Sequence, residues 1–211
     1  MNHLDNANIV YSDNHLLVVE KPAGMATQPD LTELAKAWVK KKYQKPGNVF
    51  LHPVHRLDKS VSGLVLFART SKALSRLQEM MRERKIEKIY HALVEGKLPD
   101  DQGRLIHHLK HGSFRAEVSR EGKESILDYR VLKQDRGVSF LEIDLITGRY
   151  HQIRAQLSAV GCPVLGDEKY GSKRLWPHGI ALHHSEMRFE HPVTKESLVL
   201  KRKPNFFPKD L

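Results

Sequence analysis

The sequence predicts an α+β fold with a mixed, mostly antiparallel β-sheet core and flanking helices. Several segments alternate apolar and polar residues, which is the pattern of a half-buried strand. Three other segments repeat apolar residues at helical spacing. The second half is rich in strand-type segments, and this order favours antiparallel pairing.

In the first half, short strands and helices follow one another. Residues 15–20 (HLLVVE) predict a buried strand that ends at the Lys-Pro-Ala-Gly turn of residues 21–24. Residues 31–43 predict a helix, with lysines at the end where the helix dipole favours cations. Residues 64–68 predict a second strand, and Ser71 is the expected N-cap of the helix that follows it.

The second half contains the longer strands. Alternation predicts strands over residues 86–96 and 138–146, and the histidine-rich stretch 107–125 is interpreted as a loop. Residues 149–162 predict a short amphipathic helix that ends at Gly161. Two final strands are predicted over residues 180–189 and 197–203.

Length and composition indicate one globular domain that spans residues 1–211. The chain has 35 Lys and Arg against 25 Asp and Glu, a formal net charge of +10, spread along its length. Such an excess fits a phosphate-rich partner such as nucleic acid, or a surface charged for solubility. The single cysteine, Cys162, excludes a disulfide scaffold and favours a reducing compartment, and the apolar runs are too short to span a bilayer. We therefore expect a soluble cytoplasmic protein.

Two segments place charged side chains beside strand ends, where functional sites are common. Residues 55–63 (HRLDKSVSG) precede a predicted strand, and residues 148–154 (GRYHQIR) follow another. On spacing alone, the aspartate of the first segment is most often a turn or cap residue.

Metal and nucleotide cofactors have no support in the sequence. The histidines at positions 107, 108 and 111 lack an accompanying cysteine or carboxylate pattern, so a solvated basic loop is favoured over a zinc site. The chain contains no phosphate-binding glycine motif. Cys162 lies between Gly161 and Pro163 and is interpreted as a buried structural thiol.

The segment HRLDKSVSGLVLFARTSKA (residues 55–73) resembles the HRLD segment of the RluA-type pseudouridine synthases, which modify uridines in ribosomal and transfer RNA. The same resemblance recurs in order along nearly the whole chain, in residues 9–25, 89–96, 148–171 and 181–194. It implies a pseudouridine synthase-like catalytic domain, an isomerase that needs no cofactor.

The resemblance also implies roles for individual residues. Asp58 would be the catalytic aspartate, Tyr90 would pack against the target uracil, and Arg154 would pair with the aspartate. Arg56 would help to hold the RNA with the uridine turned out. Further substrate-binding residues are expected among the neighbours of these positions: His55, Arg149, His151 and Gln152.

The expected partner is a stem-loop of ribosomal or transfer RNA, bound by a monomer. The chain resembles family members that lack a separate N-terminal RNA-binding module. Val61 and Leu127 stand where the family usually has threonine, which motivates the alternative of a catalytically silent RNA-binding protein on the same fold. A hydrolytic nuclease that uses His55 and Asp58 is a second alternative, although a second carboxylate or histidine for it is not evident in the motif.

Overall fold

The computed structural model describes residues 3–207, which divide into two compact units. Within the described range, unit 1 comprises residues 3–86 and 185–204, and unit 2 comprises residues 87–184 and 205–207. The expectation of a single domain over residues 1–211 therefore stays a prediction, and residues 1, 2 and 208–211 lie outside the described part.

In chain order, the strands and helices are β1 (Ile9–Ser12), β2 (Leu16–Lys21), α1 (Thr32–Lys42), β3 (His52–Pro53), β4 (Ser62–Ala68), α2 (Ser71–Arg82), β5 (Glu87–Glu95), β6 (Gln102–His111), β7 (Ala116–Val118), β8 (Lys123–Asp135), β9 (Val138–Leu145), α3 (Gln152–Ala159), β10 (Leu182–Glu190) and β11 (Ser197–Lys201). The α+β class predicted from the sequence is confirmed.

Unit 1 is built on antiparallel strand pairs. Strand β2 pairs with β1 and with β4, β3 pairs with β4, and β10 pairs with β11 along Glu186–Glu190. Helix α2 begins after Thr70, whose hydroxyl accepts from the Ala73 backbone N–H at 3.2 Å, so the expected N-cap at Ser71 is wrong by one residue. Apolar side chains from these strands, from α2 and from the segment after α2 form the core: Leu16, Val18, Leu64, Leu66, Ala68, Ala73, Leu77, Ile86, Met187, Phe189 and Leu200.

Unit 2 is an antiparallel array in which β5 pairs with β9, β9 with β8, β8 with β6, and β6 with β7. The interpretation of residues 107–125 as a loop is wrong, because they form the end of β6, all of β7 and the start of β8. Most side chains of β6 are at least partly exposed, so backbone pairing with β8 rather than burial fixes this strand. Its sequence consequently lacks a strong hydrophobic alternation.

Helix α3 follows β9 and is more deeply buried than an amphipathic pattern suggests. Residues 152–157 are all buried, including the polar Gln152, Arg154 and Gln156. Gly161 ends this segment with a φ of 77°, as the sequence predicts for a left-handed C-terminal position. Within residues 3–207, no helix is both long and apolar enough to cross a membrane.

Candidate active-site residues

The loop that carries Asp58 lies between β3 and β4 in unit 1 and is held on both sides of the aspartate. On one side, the Thr27 hydroxyl donates to the Leu57 carbonyl at 3.0 Å and accepts from the Leu57 N–H at 3.1 Å. On the other side, the Gly24 N–H donates to the Lys59 carbonyl at 2.7 Å. Asp58 itself is half-buried, and its carbonyl accepts from the Val61 N–H at 3.0 Å. The backbone around this carboxylate is therefore fixed by the turn that follows β2.

Lys21 adds a buried cation to the same region. Its side chain is fully buried, and its Nζ donates to the carbonyls of Pro22 at 3.0 Å, Met25 at 2.7 Å and Lys59 at 3.4 Å. Burial lowers the pKa of Lys21 to about 8, and the nearby charge of Asp58 opposes that shift. Lys21 therefore ties the turn after β2 to the Asp58 loop and supplies positive charge near the carboxylate.

His55 and Arg56 occupy different environments on the same loop. The His55 Nε2 accepts from the Leu66 N–H of β4 at 3.2 Å, which holds the half-buried ring against that strand. Arg56 is exposed. The geometry gives His55 a supporting contact in the fold and leaves the Arg56 side chain accessible to a partner.

Tyr90 lies on β5 in unit 2, opposite Ile143 of β9. Its ring stacks on the imidazole of His184, with the ring centroids 4.5 Å apart and the planes 12° from parallel. Tyr90 is 6% exposed and His184 is fully buried. This stacking fixes the plane of the Tyr90 ring, because parallel aromatic rings resist rotation out of contact.

Arg154 of α3 makes a two-bonded ion pair with Asp167. Its Nε donates to one carboxylate oxygen at 2.6 Å, and its Nη2 donates to the other at 2.9 Å. The side chains are 7% and 1% exposed, so both charges are withdrawn from water. Tyr170 lies against the same guanidinium, with the Arg154 Cζ 5.0 Å from the ring centroid. Asp167 therefore orients Arg154. Because the Arg154 side chain is buried, it is not a solvated residue on the surface of α3.

The loop before α3 is organised by Gln152. The Gln152 Oε1 accepts from the Thr147 hydroxyl at 2.7 Å and from the Arg149 N–H at 3.0 Å, while its Nε2 donates to the Ile126 carbonyl at 3.0 Å. Gln152 is 3% exposed. Its amide holds the backbone of the loop, whereas the Arg149 side chain is exposed and donates from Nε to the Glu124 carbonyl at 3.3 Å.

His151 joins this loop to β7 through Tyr170. The His151 Nδ1 lies 3.1 Å from the Tyr170 hydroxyl, which also accepts from the Ala116 N–H at 2.8 Å. His151 has a left-handed backbone with a φ of 51°. The position of its ring is therefore set by a hydrogen bond to a buried tyrosine.

A family model described as RNA pseudouridylate synthase matches residues 15–159. The chain belongs to the RNA pseudouridylate synthase family. The match includes the Asp58 loop, Tyr90 and Arg154, and the resemblance noted from the sequence motifs is confirmed.

The relatives extend the similarity of this synthase over most of its chain. The dual-specificity RNA pseudouridine synthase RluA of Pasteurella multocida is 36% identical over 94% of this chain and 94% of its own. Ribosomal large subunit pseudouridine synthase C of Buchnera aphidicola is 33% identical over 92% of this chain and 66% of its own. The structure of human RNA pseudouridylate synthase domain containing 1 aligns with a TM-score of 0.80 and 27% identity, covering 95% of this chain and 84% of that one. The chain is accordingly an RNA pseudouridine synthase, an isomerase.

Sequence reasoning missed three residues that support the candidate residues of this synthase: Lys21, Asp167 and His184. Each lies in a segment that carries the family resemblance, but the residues next to it in the sequence do not predict which side chain or backbone group it contacts. A lysine in a fully buried position and an aspartate thirteen residues from its arginine become recognisable only through their contacts.

The remaining expectations concern metal binding, the thiol of Cys162 and the residues Val61 and Leu127. Among residues 3–207, no group of three or more His, Cys, Asp or Glu side chains is arranged to hold a metal ion. Cys162 is buried, and burial raises the pKa of its thiol. Val61 and Leu127, where the resemblance led us to expect threonine, are buried apolar residues.

Proposed function

We propose that this synthase converts uridine to pseudouridine in ribosomal or transfer RNA, with Asp58 as the catalytic carboxylate and without a cofactor. The observation that carries the proposal is the fixed backbone on both sides of Asp58, through the Thr27 and Gly24 hydrogen bonds. A carboxylate held in this way keeps its position during a reaction in which the base must move.

The reaction balances without an external reagent. The bond from uracil N1 to ribose C1′ breaks, the base rotates, and a bond from C5 to C1′ forms. The C5 proton is lost and a proton is gained at N1, so no net atom or electron is transferred. Asp58 acts as nucleophile or as the negative charge that stabilises the separated sugar.

The other candidate residues bind and orient in this proposal. Tyr90 packs against the uracil, Arg154 pairs with Asp58, and Arg56 holds the RNA with the uridine turned out. Exposed Arg149 and half-buried His151 contact RNA, while buried Gln152 acts indirectly by holding their loop. His55 holds the Asp58 loop against β4 through its hydrogen bond with the Leu66 N–H.

The names of two relatives, a dual-specificity RNA pseudouridine synthase and a ribosomal large subunit pseudouridine synthase, support RNA as the substrate class. The net charge of +10 supports the same partner, because lysine and arginine supply most of the non-specific affinity for phosphodiesters. Action as a monomer in the cytoplasm is part of the proposal.

The decisive experiment maps pseudouridine in total RNA from cells that lack the gene, after incubation with the purified protein. Wild type is expected to introduce pseudouridine without cleaving the RNA. Asp58→Asn keeps the size of the side chain and removes its charge, so it should bind RNA and form no product. Asp135→Asn, at an exposed aspartate at the end of β8, is the matched control and should retain wild-type activity.

Three results would contradict the proposal. Formation of pseudouridine by Asp58→Asn would show that Asp58 is not the catalytic carboxylate. RNA binding without pseudouridine in the wild type would favour the catalytically silent alternative, and strand cleavage would favour the nuclease.

A further inference from the structure

Three aromatic rings stack in series on one side of unit 2. The His111 and Tyr150 centroids are 4.2 Å apart with planes at 27°, and those of Tyr150 and His151 are 3.8 Å apart with planes at 20°. His111 is exposed and Tyr150 is 39% exposed. These rings therefore form a partly open stack, which we call the aromatic ladder.

The ladder is rigid at its inner end. His151 is bonded to the Tyr170 hydroxyl at 3.1 Å, and that hydroxyl is fixed to Ala116 of β7 by the bonds to its backbone N–H and carbonyl at 2.8 Å and 3.2 Å. Tyr170 is 6% exposed. Little side-chain freedom remains to be lost when a further ring joins the stack, which favours binding.

A groove with a volume of about 360 Å³ runs beside the outer end of the ladder. Both His111 and Tyr150 line it, together with Leu109, Lys110, Ala116, Glu121, Gly122, Lys123, Gly148 and Arg149. The lining includes three cationic side chains and one carboxylate, and Lys110 is paired with that carboxylate at 2.7 Å. Lys123 and Arg149 therefore give the groove an excess of positive charge beside exposed aromatic rings.

We propose that this groove holds one unpaired nucleotide of the RNA outside the target uridine, with its base stacked on His111, the outer end ring of the aromatic ladder, and its phosphate bound by Lys123 and Arg149. The inference rests on the proposed function, because it assigns a second contact to the RNA of that reaction. An open aromatic stack beside cations is the combination that binds single-stranded nucleic acid. The groove is formed by β6, β7, β8 and the loop before α3, all within unit 2.

The location of the contact is tested by photocrosslinking with the full-length wild-type protein. The probe is a hairpin RNA in which the loop uridines are replaced, one at a time, by 5-iodouridine, which crosslinks to stacked aromatic side chains. Mass spectrometry is expected to find the crosslink on His111 for at least one loop position. Crosslinks confined to other residues would overturn the inference.

The energetic contribution is tested by fluorescence anisotropy with the same hairpin. Tyr150→Ala should weaken RNA binding by at least about fivefold, because it removes the ring that supports His111 in the stack. Tyr150→Phe should bind within about twofold of wild type, because that support needs the ring and not the hydroxyl. Thermal melting of both variants reports folding. Equal affinity of Tyr150→Ala and wild type would exclude the ladder as a binding surface.

The phosphate contact is tested by the salt dependence of binding. Lys123→Gln should reduce the slope of log affinity against log salt by about 0.7, the value for one phosphate contact on a single strand. Lys36→Gln, at a lysine of α1 that is paired with Glu33, is the matched loss of one charge and should leave the slope unchanged. Equal slopes for Lys123→Gln and wild type would overturn the phosphate assignment.

A competition experiment separates a strand of RNA from a free nucleotide as the occupant. Uridine monophosphate at concentrations near the affinity of the hairpin should not displace it, and displacement would assign the groove to a free nucleotide instead. Pseudouridine mapping keeps the two proposals distinct. Product in the wild type with an unchanged KM in Tyr150→Ala would refute the groove and leave the proposed function standing. Crosslinking at His111 without product would support the groove and refute the proposed function.

Discussion

Asp167 holds the guanidinium of Arg154 by two parallel hydrogen bonds of 2.6 and 2.9 Å, in the interior of unit 2. Both side chains are almost fully buried. Burying an ion pair costs desolvation free energy. Removing only one of its two charges destabilises the protein further, since the other charge stays buried without that partner. The pair therefore contributes to the orientation of Arg154 as well as to the integrity of α3 and the segment that follows it.

Removing the charge of Asp167 should destabilise the protein. We expect Asp167→Asn to lower the free energy of unfolding by about 3 to 5 kcal/mol, because it removes the carboxylate charge that is bonded to the buried guanidinium of Arg154. Urea unfolding measures this change. The double variant Arg154→Met with Asp167→Leu should recover much of the lost stability, since apolar residues of similar size replace both charges, but it should form no pseudouridine. Full activity of the double variant would show that the pair serves the fold alone.

The proposed catalytic role of Arg154 is tested by a substitution that keeps its positive charge and changes the shape of the charged group. Arg154→Lys keeps the positive charge and loses the planar fork that binds a carboxylate through two bonds. We expect single-turnover pseudouridine formation to fall at least about tenfold with the fold retained in thermal melting. Arg130→Lys, at an exposed arginine bonded to Glu142, is the matched control and should behave as wild type. A wild-type rate for Arg154→Lys would refute the proposed pairing with Asp58.

The stacking of His184 on Tyr90 predicts that His184 positions the tyrosine ring. His184→Ala should lower the free energy of unfolding by about 0.5 to 1.5 kcal/mol, because the stacking of the two rings is lost. It should also slow single-turnover catalysis, because the Tyr90 ring is no longer fixed. His184→Phe keeps an aromatic face and should restore much of the rate. An alanine variant of the exposed His178 provides the control for a histidine outside this stack. If His184→Ala loses stability but reacts at the wild-type rate, the stack has no role in catalysis.

The lowered pKa of buried Lys21 predicts how the free energy of unfolding depends on pH. Burial lowers its folded-state pKa to about 8 from the ordinary 10.5, so between these values the unfolded chain binds more protons than the folded protein. The free energy of unfolding contributed by this group therefore rises as the pH increases from about 8 to 10.5, and the penalty for burying its charge is fully present below pH 8.

The test compares wild type with Lys21→Met by urea unfolding across this range. The stability of wild type relative to the variant should increase between pH 8 and pH 10. Lys40→Met, at an exposed lysine of α1, should show no such trend relative to wild type. A difference between wild type and Lys21→Met that is independent of pH would contradict the lowered pKa.

The sequence by itself determined the fold class and most of the elements. Alternation located β5 and β9, helical spacing located α1 and α2, and Gly161 marked the end of the α3 segment, because these patterns depend on neighbours along the chain. It failed for β6, whose polar side chains are held in a strand by pairing with β8. The motif around Asp58 was also recognisable, since its residues are contiguous.

The tertiary structure alone decided what surrounds the candidate residues. Asp167 reaches Arg154 from a loop beyond α3, and His184 reaches Tyr90 from a strand that is distant in the sequence. Tyr150, in the loop before α3, stacks on His111 at the end of β6. Lys21 likewise acquires its lowered pKa from burial, which exists only in the folded chain. Sequence patterns encode the periodicity of an element, whereas a charge partner or a stacking partner depends on how separate elements pack, and that packing exists only in the folded chain.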